Sequence, residues 1–250
     1  MQPIGSNTSM NNQETKLIAG YRVHCMHREQ LAAVVLDVIE QRQKRILLFA
    51  NTNFVVQCRP LLSRINQPDC IVINDGVGMD IAALLLSGRK FQENLNGTDF
   101  TPYLFRHAPR PLRVFMVGGK PDILALAVSY VQEQLGQEVV GNCDGYAGLR
   151  STTDLTEQIN QSHADIVLVA IGNPLQEQWI MSQIDAIDGG VMMGVGALFD
   201  FWSGTKKRAP VFIQKLKLEW LFRMAQEPGR LMRRYTIGVI VFLFHCFKYR

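Results

Sequence analysis

Long hydrophobic runs are missing from this chain of 250 residues. A helix that spans a membrane needs about 20 consecutive apolar residues, whereas the longest apolar candidate, residues 235–247, has only thirteen. The first sixteen residues are polar, and a secretory signal needs a basic start followed by an apolar run. We therefore expect a loose N-terminal tail and no spanning helix.

Paired cysteines and metal-binding motifs are also missing. The five cysteines stand at unrelated spacings without a CxxC pair, and the five histidines are isolated without an HExxH motif. This pattern predicts neither a disulfide framework nor a protein-held metal, and it favours the reducing cytosol. The chain also lacks GxSxG, GxGxxG and Walker A sequences, which argues against a serine hydrolase and weakens a dinucleotide-dependent oxidoreductase.

Charge is distributed unevenly along the chain, although the net charge is only +4. Residues 203–250 contain eleven Lys or Arg and two Glu, whereas the preceding 202 residues contain fifteen basic and twenty acidic side chains. A basic tail on an acidic body suggests an anionic partner, and nucleic acid or the cytoplasmic leaflet fits that charge. The large apolar residues of the tail favour the membrane and argue against nucleic acid.

Short apolar runs alternate with helical patterns through most of the chain, and 47% of all residues are hydrophobic. Repeated strand–helix units predict an α/β fold, with a Rossmann-like, mostly parallel sheet and helices on both faces. We expect a tail over 1–16, a catalytic domain over 17–202 and a helical, membrane-associating appendage over 203–250. The predicted strands are Ile46–Asn51, Ile71–Asp75, Arg113–Gly119, Glu138–Asn142, Asp165–Gly172 and Val191–Gly196.

Ligands of open α/β sheets bind outside the carboxyl ends of the strands, and Asp75 follows one of these ends. A carboxylate beside Gly76 is suited to accept a hydroxyl proton as a general base. The alternative is that Asp75 caps the helix that begins near Gly78.

Two further strand ends are candidates for ligand binding. Gly118 and Gly119 precede a helix with Pro121 in its first turn, so their backbone either binds a diphosphate or forms a plain tight turn. After the other strand, Asn173, Gln176 and Glu177 provide amides and a carboxylate suited to sugar hydroxyls or a nucleobase.

Arginines are concentrated in the tail. A run of charges is usually a solvated face, but a planar guanidinium also binds phosphates through two hydrogen bonds. The candidates for binding a diphosphate are Arg208, Arg223, Arg230 and Arg233 or its neighbour Arg234.

Taken together, these motifs resemble the WecG/TagA/CpsF group, glycosyltransferase family 26, from about Leu17 to Tyr235. The segments that carry the resemblance are Asn53, Asp75-Gly76, Asn96–Asp99, Val117-Gly118-Gly119, Gly141 to Tyr146, Gly172–Glu177, Gly194-Val195-Gly196, Phe199-Asp200, Arg208-Ala209-Pro210, Glu219–Arg223 and Glu227–Leu231. The resemblance implies an inverting transferase that moves a hexose from a UDP-sugar to a polyprenyl-diphosphate-linked sugar. It would act peripherally at the cytoplasmic face of the bacterial inner membrane.

The resemblance also implies roles for particular residues. Asp75 corresponds to the proposed base and Gln176 to the Gln of the family's Pro-x-Gln-Glu segment, while the appendage brings its arginines over the cleft. No metal or other cofactor is implied.

Two departures from the family pattern lie near the implied donor pocket. Asn51, before Asn53, replaces a frequent Thr, and Asn94 replaces a frequent Arg. Both argue against an acetamido-sugar donor. The Asn-Leu-Asn-Gly-Thr-Asp form of residues 94–99 resembles the subgroup that makes the β-1,4-glucosyl link of xanthan-type polymers. The alternative donor is UDP-N-acetylmannosamine, transferred to lipid-linked N-acetylglucosamine.

Two other functions stay open at this stage, a nicotinamide-dependent oxidoreductase and a non-catalytic membrane adaptor. The apolar segment 235–247 also allows contact with a neighbouring subunit of a homo-oligomer in place of lipid.

Overall fold

A computed structural model describes residues 14–145, 152–216 and 218–250. The strands in these ranges are β1 (Thr15–Ile18), β2 (Tyr21–His24), β3 (Lys44–Ala50), β4 (Cys70–Asn74), β5 (Arg113–Gly118), β6 (Glu138–Cys143), β7 (Ile166–Ala170) and β8 (Gly190–Gly194). The helices of the body are α1 (Arg28–Glu40), α2 (Thr52–Gln57), α3 (Leu62–Ile65), α4 (Val77–Ser87), α5 (Gly97–His107), α6 (Pro121–Glu133), α7 (Thr152–Gln161), α8 (Leu175–Gln183) and α9 (Leu198–Trp202). The tail contains α10 (Val211–Lys215), α11 (Glu219–Gln226), α12 (Pro228–Tyr235) and α13 (Ile237–Lys248).

All eight strands form one sheet in the order β1-β2-β4-β3-β8-β7-β5-β6. Only β1 pairs antiparallel, with β2, and every other pairing is parallel. The α/β fold with a mostly parallel sheet is therefore confirmed, and the six predicted strands are β3 to β8. The hairpin β1–β2 adds an edge that the sequence analysis did not predict, and β1 starts two residues inside the segment expected as a tail.

Helices cover both faces of the sheet. One half of the core contains side chains of α2, α4, α7, α8 and α13, and the other half contains side chains of α1, α5, α6 and α9. The central strands β3, β4, β7 and β8 are rich in Val, Ile, Leu and Met and are almost entirely buried. This is the expected composition of parallel strands covered from two sides.

One predicted helix is divided in the structure. The hydrophobic pattern over residues 54–66 predicts a single helix, but α2 ends at Gln57 and a 3₁₀ turn over Arg59–Leu61 separates it from α3. Pro60 lies in that turn, and proline has no N–H to continue the ladder of helical hydrogen bonds.

The last helix, α13, packs against α2 of the body. Its residues Phe242 and Cys246 are each 1% exposed and belong to the core on that face of the sheet. Within the described ranges, no helix has the length and apolar character needed to cross a membrane.

Candidate active site at the carboxyl edge of the sheet

Asp75 and Asn51 lie side by side because their strands are adjacent and parallel. Ala50 of β3 is in register with Asn74 of β4, so the residue after each strand emerges at the same edge. The Asn51 side-chain amide donates to Asp75 Oδ2 over 3.1 Å. The two sequence candidates therefore form a hydrogen-bonded pair.

The Asp75 carboxylate does not cap α4. The N-cap of that helix is Gly76, with φ of +93° and no side-chain hydrogen bond. Glycine adopts this backbone conformation without strain, and the Gly76 N–H donates to Asn94 Oδ1 over 2.5 Å. Asn94 thus fixes the turn through which Asp75 enters the cleft, and the capping alternative for Asp75 is wrong.

The electrostatic surroundings of Asp75 favour proton acceptance. Burial raises the pKa of its carboxyl group, and the negative charge of Glu219 acts in the same direction. The hydrogen bond from Asn51 and the positive charges of Arg223 and Arg234 oppose this rise but do not cancel it. A carboxylate with a raised pKa is a better general base than an exposed one.

Asn51 also joins the body to the tail. Its Oδ1 accepts from the backbone N–H groups of Asn53 and Phe54, both at 3.1 Å, and thereby caps α2. The same oxygen accepts from the guanidinium of Arg234 on α12, at 3.2 Å. Asn53 itself lies partly buried in the first turn of α2.

Four other tail arginines were predicted at the site, and three of them lie on α11 and α12. Arg223 binds Glu219 at 2.9 Å, and its guanidinium lies 5.0 Å from the Phe201 ring centroid. Of the two neighbouring arginines on α12, Arg233 is exposed, whereas Arg234 reaches Asn51. The side chain of Arg230 lies outside the described part of the structure.

Arg208 is held by carboxylates. It forms ion pairs with Asp99, at the start of α5, and with Glu219, at 3.7 Å. Burial alone would raise the pKa of Asp99, but hydrogen bonds from Arg208 and Asn96 outweigh it and lower that pKa. Arg208 therefore connects the body to α11 through charge.

At the third strand end, Gly118 and Gly119 form a tight turn before α6. Gly118 has φ of +123°, and a Cβ atom there would lie 2.5 Å from the Ala170 carbonyl oxygen. The Gly119 N–H donates to that same oxygen at 3.3 Å. The turn therefore brings β5 and β7 into close contact, and α6 begins directly after it with Pro121.

The structure places Gln176 and Glu177 inside the protein. Gln176 Oε1 accepts from the N–H groups of Gly172 and Gly196, at 3.3 and 3.1 Å, which ties the end of β7 to the end of β8. Glu177 is 0% exposed and accepts from Gln176 at 2.7 Å and from Asn173 at 2.6 Å. Of the three residues, only Asn173 is partly exposed.

Comparison with known families identifies the chemistry. The family described as glycosyl transferase WecG/TagA/CpsF has a model that matches residues 16–250. The chain belongs to this family. It is therefore a glycosyltransferase of cell-surface polysaccharide biosynthesis, with a sugar donor and a lipid-linked acceptor, and the oxidoreductase and adaptor alternatives are set aside.

In this glycosyltransferase, a groove of about 660 Å³ lies between α6 and α7. Pro121, Asn142 and Asp144 are among its lining residues. Asp75 does not line it, so the groove lies on the far side of the Gly118–Gly119 turn from the Asn51–Asp75 pair. No group of His, Cys, Asp or Glu able to hold a metal is found among the described residues.

Proposed function

We propose that this protein transfers a hexose, preferably glucose, from a UDP-sugar to a polyprenyl-diphosphate-linked sugar with inversion at the anomeric carbon. The observation that carries the proposal is the Asp75 carboxyl group. It lies at the carboxyl edge of the sheet, accepts a hydrogen bond from Asn51 and has a raised pKa. The family assignment supports the reaction class.

Asp75 would act as the general base. Its carboxylate takes the proton of the acceptor hydroxyl as that oxygen attacks the anomeric carbon from the face opposite UDP. The new bond between oxygen and carbon forms while the bond between carbon and the β-phosphate oxygen breaks, and the electron pair leaves with UDP. Attack from the opposite face inverts the configuration, so an α-linked donor gives a β-linked product.

Negative charge develops on the departing diphosphate, and this mechanism needs no metal ion. Arg223 and Arg234 already contribute positive charge at Asp75. Preorganised donors of this kind lower a barrier most where charge appears in the transition state.

The choice of glucose rests on two asparagines. Asn51 uses its side chain to hold Asp75 and to cap α2, and Asn94 uses its own to hold the turn at Gly76. Asn51 is thus engaged with the proposed base, and Asn94 with the turn that follows it, rather than left for an acetamido group. UDP-N-acetylmannosamine is the competing donor.

The proposed location is the cytoplasmic face of the bacterial inner membrane, with the protein bound peripherally. The basic tail supports this location, since each Lys or Arg near an anionic leaflet contributes about 1 kcal/mol. Bound there, the enzyme would meet its lipid-linked acceptor at the surface.

The test is transfer from a panel of UDP-sugars to a short-chain lipid-diphosphate sugar, with EDTA present. We expect UDP-glucose to be used, and Asp75→Asn to lower turnover by about 10²–10⁴-fold while UDP binding, measured by calorimetry, is retained. The matched control is Asp188→Asn, which changes an exposed carboxylate of the body. Normal turnover in Asp75→Asn would remove the base assignment, and a preference for UDP-N-acetylmannosamine would overturn the choice of glucose.

A further inference from the structure

Helix α4 leaves a stripe of large apolar side chains exposed although it belongs to the body of the protein. The exposed fraction is between 44% and 56% for Ile81, Leu84 and Leu85. The opposite side of the helix is buried and contains Met79, Ala82 and Ala83. The spacing of three and four residues places the exposed side chains on one face. That face has no partner among the described residues.

Helix α13 has the same character. Its outer side is between 57% and 68% exposed at Ile237, Ile240, Phe244 and Phe247. Its inner side is buried against the body at Phe242 and Cys246. The helix is therefore apolar on both sides, with one side covered by the protein and the other exposed.

The two helices lie next to each other. They contact one another and pack on the same half of the core. Their C-terminal ends meet where the Arg250 guanidinium donates to the Leu86 carbonyl oxygen at 3.2 Å. Their N-terminal ends both lie near the cleft, because α4 begins just after Asp75 and α13 follows α12, whose Arg234 reaches Asn51. The two exposed stripes thus run side by side, away from the catalytic pair.

The sequence segments that carry the stripes are basic. Residues 77–92 and 237–250 contain four Lys or Arg, and their single acidic side chain, Asp80, is buried. Exposed apolar side chains in basic segments match an anionic bilayer, which offers hydrocarbon under negative headgroups. In a two-fold dimer each patch would face itself, so its like charges would repel.

We propose that the outward faces of α4 and α13 together form one surface that binds an anionic lipid bilayer. The surface includes a helix of the catalytic body, and it extends the tail attachment put forward above, so it rests on the proposed function at a membrane. With this face on the bilayer, the N-terminal end of α4 and the adjacent Asp75 would lie near the lipid surface. A lipid-linked acceptor then reaches the base without leaving the membrane.

The experiment measures binding of the full chain to vesicles of phosphatidylglycerol and phosphatidylethanolamine by co-sedimentation. Leu85→Glu is the test variant and Leu126→Glu is the matched control. The two leucines are equally exposed, at 56% and 55%. Leu126 lies on α6, which packs on the opposite face of the sheet. We expect Leu85→Glu to weaken vesicle binding by about tenfold or more and Leu126→Glu to leave it unchanged. Phosphatidylcholine vesicles should bind the unaltered protein weakly.

Sugar transfer to a short-chain, water-soluble acceptor measures the proposed activity without a membrane. This transfer should persist in Leu85→Glu, because Leu85 lies outside the proposed active site. If the unaltered protein did not catalyse the transfer, the proposed function would be contradicted, and the vesicle-binding result would stand. Vesicle binding unchanged by Leu85→Glu would overturn the role of α4. A dimer that Leu85→Glu dissociates, in a protein that does not bind vesicles, would also overturn it and assign the surface to a second copy.

Discussion

Substituting two phenylalanines of the same helix tests whether α13 packs on its own body. Phe242 is 1% exposed and lies in the core with α2, whereas Phe244, two residues further on, is 60% exposed. Truncating a buried Phe to Ala typically costs about 3–5 kcal/mol, because apolar burial is lost and a cavity remains. An exposed position usually changes stability by less than about 0.5 kcal/mol.

These values set the expected thermal shifts. A chain of this size loses about 2–4 °C in Tm for each kcal/mol, so Phe242→Ala should lower Tm by about 6–20 °C. Phe244→Ala should lower it by less than about 2 °C. The assay is thermal unfolding followed by circular dichroism, in dilute detergent-free buffer.

Equal shifts for the two variants would refute the packing of α13 on α2. They would be expected if the helix were free in solution, or buried equally on both sides by lipid or by a second subunit. A fall in Tm confined to Phe242→Ala would confirm that the end of the chain completes the core of the catalytic body.

Two further predictions concern the catalytic edge. Because Arg223 opposes the raised pKa of Asp75 and the base must be ionised, Arg223→Gln should raise that pKa and move the acidic limb of the kcat/KM profile to higher pH. Arg233→Gln, at an exposed site, should leave the limb in place, and equal movement in both variants would contradict the electrostatic argument. Gly118→Ala should destabilise the protein in urea titrations by at least about 1–3 kcal/mol, since φ is +123° and the new Cβ would lie 2.5 Å from the Ala170 oxygen. Gly229→Ala, with open space around it on α12, should be neutral or slightly stabilising, and an equally neutral Gly118→Ala would show that the turn can move.

The inner part of the sheet could be predicted from the sequence because its strands are continuous apolar runs of β-branched and long aliphatic residues. The first hairpin carries a weaker signal, since β1 and β2 have four residues each and β1 is largely exposed. Helix α1 has a clear signal in the sequence, although it was not among the predicted elements. Its buried apolar side chains follow the spacing of one helix face, and they include Leu31, Val34, Val35, Val38 and Ile39.

Asp75 and Asn51 could be predicted because strand order and the carboxyl-edge rule depend only on elements that the sequence reveals. The burial of Gln176 and Glu177 could not, because a polar residue in a first helical turn gives no indication of which way it faces. Helix α8 has no clear apolar stripe from which to judge: its buried residues are Gln176, Glu177, Trp179 and Ile180. Likewise, Arg233 and Arg234 are consecutive on α12, and only the packing of that helix decides which one reaches the cleft.

The side chain of Asn51 connects the sheet edge, helix α2 and the tail. A single side chain holds the Asp75 carboxylate through its amide, caps α2 through its oxygen and receives Arg234 from the tail at that same oxygen. Helix α2 is in turn the element on which α13 packs. The tail therefore meets the Asn51–Asp75 pair in two ways, directly through Arg234 and indirectly through α2.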